Sequence, residues 1–163
     1  MMGIRSIAKL VCRGLLAPGM ALLLVAAPAS AAKELPSSPD AMMDTIRTAI
    51  ETRDYDMLQD LVFWKDTGKI KKRIVRFHLN RNLGRKIKSI TWEDFPENGM
   101  DGMIATGQLA PNMKVTNRVR VIFDEEPIND TGKLPTSVFL VGEREGVWRI
   151  GLVNRAGIDD DDD

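Results

Sequence analysis

The repeat of the apolar residues changes at Gly84, and this change constrains the fold more than any other feature of the chain. Before Gly84, apolar residues recur at spacings of three, four and seven, which is typical of amphipathic helices. After it, apolar and polar residues alternate, most clearly around Val119, Val121 and Phe123. We therefore predict an α+β fold, in which N-terminal helices pack on one face of a curved antiparallel sheet of four to five strands.

Two helical segments are predicted before Gly84. The first begins at Asp40, an expected N-cap, and extends to Val62 with a step near residues 52–54. Residues 66–68 (Asp-Thr-Gly) end this segment, and the second runs to a C-cap at Gly84. Its apolar residues lie on two adjoining rows, Ile70, Ile74 and Phe77 on one and Val75, Leu79 and Leu83 on the other.

Strands are predicted at five places after Gly84, separated by residues that favour turns. They are the segment containing Ile90 and Trp92, followed by residues 103–109, 115–123, 137–142 and 147–153. Turns are predicted at residues 96–99, 110–112, 127–135 and 144–146, where Gly, Pro, Asn and charged residues cluster. The last turn is short enough for a tight hairpin.

The first 31 residues have the composition of a cleavable signal peptide. Residues 1–13 are basic without an acid, residues 15–27 are apolar except at Pro18-Gly19, and residues 29–31 read Ala-Ser-Ala. An uncleaved anchor helix is the alternative, but the apolar stretch is shorter than the roughly 20 residues that span a bilayer. We expect Sec-type export and cleavage before Ala32, which predicts a periplasmic or secreted protein.

The rest of the chain divides into three parts. Residues 32–39 form a flexible lead-in, residues 40–155 a single α+β domain, and residues 156–163 an acidic tail. Five consecutive aspartates, Asp159 to Asp163, repel one another, so the tail is expected to be disordered. The single cysteine, Cys12, is lost with the leader, which leaves the exported domain without a disulfide.

The order of elements resembles the nuclear-transport-factor-two-like, or cystatin-like, superfamily of cone-shaped α+β domains. The resemblance rests on the helix AMMDTIRTAIETRDYDMLQDLV with its Asp54, Leu58 and Leu61, on the strand entered through LGRKIKSITW, and on the terminal hairpin GVWRIGLV. It covers residues 40–153. The superfamily includes isomerases, cyclases and dehydratases as well as members that only bind, so the resemblance implies a fold and a pocket inside the cone without deciding an activity.

Enzymes of this superfamily pair an Asp with a His or a Tyr, and the chain has one His, His78, and one Tyr, Tyr55. His78 is the only candidate general base, and the basic residues around it favour its neutral form. No orienting partner can be identified, so a packed or surface histidine is the simpler interpretation. Copper(I) binding by Met100, Met103 and Met113 with His78 copies no known spacing, and we predict no metal and no cofactor.

The strongest candidate for a binding surface is the basic segment between Lys65 and Lys88, which contains ten lysines and arginines and a single acid, Asp66. It suits an anionic lipid, an acidic glycan or an acidic partner, whereas nucleic acid is excluded by the expected compartment. A solvated helix without a partner, or a contact with the aspartate tail, are the alternatives. The predicted anion-binding residues are Lys69, Lys71, Lys72, Arg73, Arg76, Arg81 and Arg85.

A second candidate is an apolar pocket in the cone. Its predicted lining is aromatic and comprises Trp64, Phe77, Trp92, Phe123, Phe139 and Trp148, although these residues are equally suited to a plain core. The sequence therefore favours a noncatalytic binding or accessory module of the bacterial envelope, which takes a small apolar ligand or an envelope protein. The alternative is a small isomerase or cyclase with His78 as base. Homodimerisation through the open sheet face, common in similar folds, stays an option.

Overall fold

The computed structural model describes residues 34–95, 102, 104–106, 108–127 and 132–155. Within these residues, three helices precede the strands: α1 (Pro39–Glu51), α2 (Tyr55–Asp60) and α3 (Lys69–Asn82). The strands are β1 (Ile87–Asp94), β2 (Leu109–Pro111), β3 (Asn117–Phe123), β4 (Thr136–Arg144), β5 (Val147–Ile150) and β6 (Val153–Arg155). The predicted leader, the turn at residues 96–99 and the acidic tail lie outside the described residues.

Helices α1 and α2 occupy the first predicted helical segment, and the break between them falls at the predicted step. Arg53 there adopts a left-handed conformation with φ 61°, and the side chain of Asp54 accepts the Met57 N–H at 2.8 Å to cap α2. The prediction of Asp40 as N-cap of α1 is wrong. Ser38 takes this position because the following proline suits the first helical turn.

Helix α3 begins where the sequence predicts, and its C-cap is one residue before the predicted Gly84. The chain turns at Asp66, with φ 54°, and Gly68 is the residue that precedes the helix. Leu83 is the C-cap, and Gly84 follows it with φ 75° while its N–H donates to the Ile50 carbonyl at 2.6 Å. A residue without a Cβ is favoured in that left-handed conformation, so Gly84 both ends α3 and ties it to α1.

The main sheet is open, antiparallel and four-stranded, with the order β1-β3-β4-β5. Hairpin β4–β5 confirms the predicted tight turn, since only Glu145 and Gly146 separate Arg144 from its partner Val147. Both turn residues have positive φ, 55° and 77°, which is the type I′ geometry that fits the twist of paired strands. This sheet and the helices that precede it confirm the predicted α+β class, and the sheet has four strands where four to five were predicted.

Two predicted strands differ from the structure. The prediction of a strand at residues 103–109 is wrong, because Ile104 and Ala105 are helical and β2 begins only at Leu109. The strand predicted at residues 147–153 is divided. Strand β5 ends at Ile150, the Gly151 N–H still donates to the Leu140 carbonyl of β4, and the chain then pairs with β2 as β6. This second small sheet depends on a partner distant in sequence, which a local alternation of apolar residues does not reveal.

The core lies between the inner face of the main sheet and the helices. Helix α1 contributes four buried residues, the α2 region three, and strands β3 and β4 most of the rest. Their side chains exclude water from one continuous cluster, and its largest fully buried members are Phe123, Met42, Ile46, Ile50, Leu58, Leu61, Val62, Val119, Val121 and Val141. Among the described residues, no helix has the length and apolar character needed to cross a bilayer.

The outer edge of β5 is covered by two segments from the first half of the chain. Val62 forms a parallel bridge with Ile150, whose N–H donates to the Leu61 carbonyl at 2.8 Å. The Trp148 N–H donates to the carbonyl of Pro36, a buried residue of the predicted lead-in, at 2.7 Å. Covering an edge in this way removes a surface on which other strands pair.

Candidate functional site

A cavity of about 410 Å³ lies between α3, β4 and residues 150–153. It lies where the chain changes partner strand: the Gly151 N–H still donates to the Leu140 carbonyl of β4 at 2.9 Å, and from Val153 the chain pairs with β2. The walls are mainly apolar. The residues that form this apolar wall are Val75, Leu79, Phe139, Leu140, Ile150 and Leu152.

A second, more polar hollow of about 400 Å³ adjoins the cavity and shares His78, Asn82 and Ser137 with it. Asn82 is buried, and its Oδ1 accepts the Ser137 hydroxyl at 2.9 Å and Arg85 Nη1 at 3.5 Å. These bonds fix the wall that the two hollows share. The two hollows therefore form one groove with an apolar end and a polar end.

The polar end is cationic overall. Arg85 forms a bidentate ion pair with Glu125, Nε to Oε1 at 2.6 Å and Nη2 to Oε2 at 2.7 Å, and its guanidinium lies 3.7 Å from the centre of the Phe123 ring. The hydrogen bond from Arg85 lowers the pKa of Glu125, which keeps this carboxylate ionised and paired. Arg81 also lines the hollow and makes no ion pair within the described part of the chain, so its charge is available.

Lys71 stands at the opposite end of the groove. Its ammonium donates to the Val153 carbonyl and to Asn154 Oδ1, and it thereby attaches β6 to α3. Because these contacts use its donors, Lys71 acts first as a structural residue. Its charge nevertheless remains on the wall of the apolar cavity.

The seven residues predicted to bind anions therefore fall into two groups. Lys71 and Arg85 are held by contacts inside the fold, and Arg76 lies 5.6 Å from the centre of the Trp64 ring. The others have no ion-pair partner among the described residues, and their side chains are exposed or, for Lys72, half-buried. These residues are Lys69, Lys72, Arg73 and Arg81.

Of the six aromatic residues predicted to line a pocket, Phe139 alone lines this cavity. Phe123 is fully buried in the core, and the half-buried Trp92 and Trp148 meet edge to face with ring centres 4.7 Å apart. The rest of the apolar wall comes from aliphatic residues of α3, of β4 and of residues 150–153. The sequence signal for them is the Gly151 that interrupts the last apolar run.

The other two predicted aromatic residues lie away from the cavity. Trp64 follows α2 and donates its indole N–H to the Gln59 carbonyl at 3.1 Å. Phe77 points outward from α3 and is 60 % exposed. Neither shares a cavity with Phe139 within the described chain, so the aromatic residues do not form one wall.

The candidate base His78 is exposed on the rim shared by both hollows, with its ring 5.8 Å from that of Phe77. Within the described residues, no carboxylate forms a hydrogen bond or ion pair with it. Tyr55 is half-buried against the core and does not line either hollow.

The described residues contain no group of three or more His, Cys, Asp or Glu side chains placed to hold a metal ion. Met113, one of the methionines weighed for copper, is buried, and it packs where Gly142 and Gly151 leave room for it. Met100 and Met103 lie outside the described residues.

Comparisons with protein-family models, curated proteins and solved structures find no match to this chain. The resemblance to the nuclear-transport-factor-two-like superfamily therefore stays a prediction, and the function has to be argued from the geometry of the groove.

Proposed function

We propose that this protein is an exported, noncatalytic binding module of the bacterial envelope that holds a small amphipathic ligand with an anionic head. The groove between α3 and β4 carries this proposal, because an apolar cavity of about 410 Å³ continues into a cationic hollow. Ligand pockets usually have volumes of about 300–1,000 Å³, apolar walls and a few polar groups that orient the ligand. The two ends of the groove match the two ends of such a ligand.

The charges of the groove favour an anionic head over a cationic one. Lys71, Arg81 and Arg85 contribute positive charge, and Glu125 is the one acid on the walls. Since Glu125 is neutralised by Arg85, the uncompensated charge near the shared rim is that of Arg81. We assign Arg81 as the residue that meets the ligand's head and the aliphatic wall as the site of its chain.

A fluorescent fatty acid, with dodecanoate as competitor, provides a direct test. Val75→Trp fills the apolar cavity from α3 and should weaken binding at least about tenfold, because the chain of the probe loses its space. Asn80→Trp places the same side chain on the exposed side of α3 and should leave affinity within about twofold. Equal affinities of the two variants, measured by fluorescence titration, would contradict the proposal.

The head of the ligand is tested separately. Arg81→Gln should weaken dodecanoate binding several-fold and leave dodecanol binding unchanged, since only the acid carries the charge that Arg81 meets. Lys114→Gln removes an exposed positive charge elsewhere and is the matched control. An equal loss of affinity for dodecanoate and dodecanol would show that Arg81 does not recognise the charge of the ligand.

The position of His78 at the rim of both hollows favours one alternative, a small isomerase or cyclase with His78 as base. His78→Ala separates the two functions. A binding module should retain probe affinity within about twofold, because the histidine lies at the rim and an aliphatic chain does not need it. An activity that disappears in this variant while binding persists would establish the enzyme instead.

The exported location is supported by residues 1–31 alone, and it is tested by the N-terminus of the protein recovered from cells. Cleavage after Ala31 should give a periplasmic protein that begins at Ala32. Recovery of a cytoplasmic protein that begins at Met1 would remove the envelope from the proposal and leave the groove unaffected.

A further inference from the structure

The two apolar rows of helix α3 differ in exposure, since one packs on the core and the other faces solvent. Its inner face carries Leu79, only 3 % exposed, together with the half-buried Val75. Its outer face carries Ile70, Ile74 and Phe77, which are 45 %, 50 % and 60 % exposed. The spacing of three and four residues places these side chains in one stripe along the helix.

This outer stripe is unusual within the described chain. Among the described residues, five large apolar side chains are substantially exposed, and three of these five belong to α3. A helix that packs on a sheet needs a single apolar face, so the fold does not require the second one. A run of exposed apolar side chains that serves no packing role is the usual mark of an interaction surface.

The charge around the stripe restricts the kind of partner. Helix α3 contains six lysines and arginines and no acid. Lys69, Arg73 and Arg76 lie beside the apolar stripe on the exposed side, and the first two have no ion-pair partner in the described residues. A second copy of the chain would bring these cations against one another, which disfavours a homodimer through this face.

We propose that the outer face of α3 docks on an anionic lipid surface. Ile70, Ile74 and Phe77 enter the boundary between headgroups and acyl chains, while Lys69, Arg73 and Arg76 pair with lipid phosphates. Helices that lie in the plane of a membrane combine an apolar stripe with flanking basic residues in this way. Long basic side chains reach the phosphates while their stems cover apolar surface. Ile70, Ile74 and Phe77 line neither hollow of the groove, so docking through these side chains does not fill the ligand cavity.

The test uses the protein recovered after export and vesicles of phosphatidylcholine with or without about 30 % phosphatidylglycerol. Flotation should show binding to the anionic vesicles and little binding to the neutral ones. Both I74S/F77S and K69Q/R73Q should reduce the bound fraction at least about tenfold, because one removes the apolar anchors and the other the charges.

Two matched controls keep the result specific to this face. Ile104→Ser removes another exposed apolar residue, and K88Q/K114Q removes two exposed lysines outside α3. Both should bind within about twofold of the unchanged protein. Thermal unfolding of every variant shows that the fold is retained, and affinity for the fluorescent fatty acid should be unchanged in I74S/F77S. That last measurement separates failure of docking from failure of the groove.

Three results would overturn the proposal. The first is equal binding to neutral and anionic vesicles, and the second is a loss in the controls as large as in the α3 variants. The third is absence of vesicle binding while an immobilised acidic peptide captures the protein through the same residues, which would assign this face to a protein partner.

Discussion

Asn112 shows how one side chain can hold distant segments together. Its Nδ2 donates to the carbonyls of Phe63 and Lys65, at 2.6 and 3.1 Å, and its Oδ1 accepts the Leu152 N–H at 2.9 Å. An amide supplies the donor and the acceptor that this position needs, whereas a carboxylate supplies acceptors alone. The residue thus joins the segment after α2 to the start of the small sheet.

Replacement of Asn112 by Ala should destabilise the protein by about 1–3 kcal/mol, since it leaves these backbone groups without their partner. Asn112→Asp should destabilise the protein at least as much, because the carbonyl oxygens of Phe63 and Lys65 then face a carboxylate that cannot donate a hydrogen bond. Urea unfolding measures both changes, with Asn80→Ala, on the exposed side of α3, as the control. A loss for Asn112→Ala no larger than that of the control would show that the carbonyls find other partners.

Glu93 has a pH-dependent role on the outer face of the sheet. Arg120 Nε lies 2.5 Å from Glu93 Oε1, and Arg118 Nε lies 2.5 Å from Oε2. The hydrogen bond from Arg120, with a further contribution from Arg118, lowers the pKa of Glu93 below its ordinary value of 4.5, although partial burial opposes this. These two ion pairs join β1 to β3.

A lowered carboxylate pKa stabilises the fold fully above the ordinary pKa, and this contribution is lost as the pH falls from there through the lowered value. Glu93→Gln should therefore cost about 1 kcal/mol near neutral pH, a modest figure because the groups are partly exposed. The difference from the unchanged protein should shrink as the pH falls below 4.5. Urea unfolding across that range checks it, and a constant difference would contradict the assigned cause.

Among the elements, those with a local signal were predictable and those with a distant partner were not. The break before Asp54, the turn at Gly84 and the hairpin at Glu145-Gly146 follow from residues that adopt or cap special backbone conformations. Strand β6 was missed as a separate element because its partner β2 lies about 40 residues away and is positioned through Asn112. Periodicity does not contain that information.

The candidate site could be predicted from the sequence only in part, for the same reason. The basic character of α3 was visible in the sequence, but its two apolar rows gave no indication of which one faces the sheet. In the structure the row of Leu79 faces inward and that of Phe77 outward. The cavity wall was hidden for a related reason, since it arises where the chain passes, after Gly151, from pairing with β4 to pairing with β2. Large aromatic side chains such as Phe123 are placed in the core, where their burial stabilises most.

Over the whole molecule, the first and last parts of the described chain depend on each other at the β5 edge. The segment at Leu35 and Pro36 lies along β5, where Leu35 packs on the core and the Pro36 carbonyl accepts the Trp148 N–H. The residues after α2 cover the rest of that edge through Ile150. The predicted lead-in therefore contributes contacts to the domain before α1 begins.

A chain that begins at Ser37 should for this reason be less stable than one that begins at Glu34, by about 1–2 kcal/mol, because it loses the apolar contact of Leu35 and the partner of the Trp148 N–H. The two chains differ by three residues and share every helix and strand, so the comparison isolates the edge contact. Urea unfolding followed by tryptophan fluorescence measures the difference. The exposed edge of the shorter chain should also pair with other molecules more readily, which light scattering detects. Equal unfolding midpoints and equal scattering would show that residues 61–63 alone protect β5.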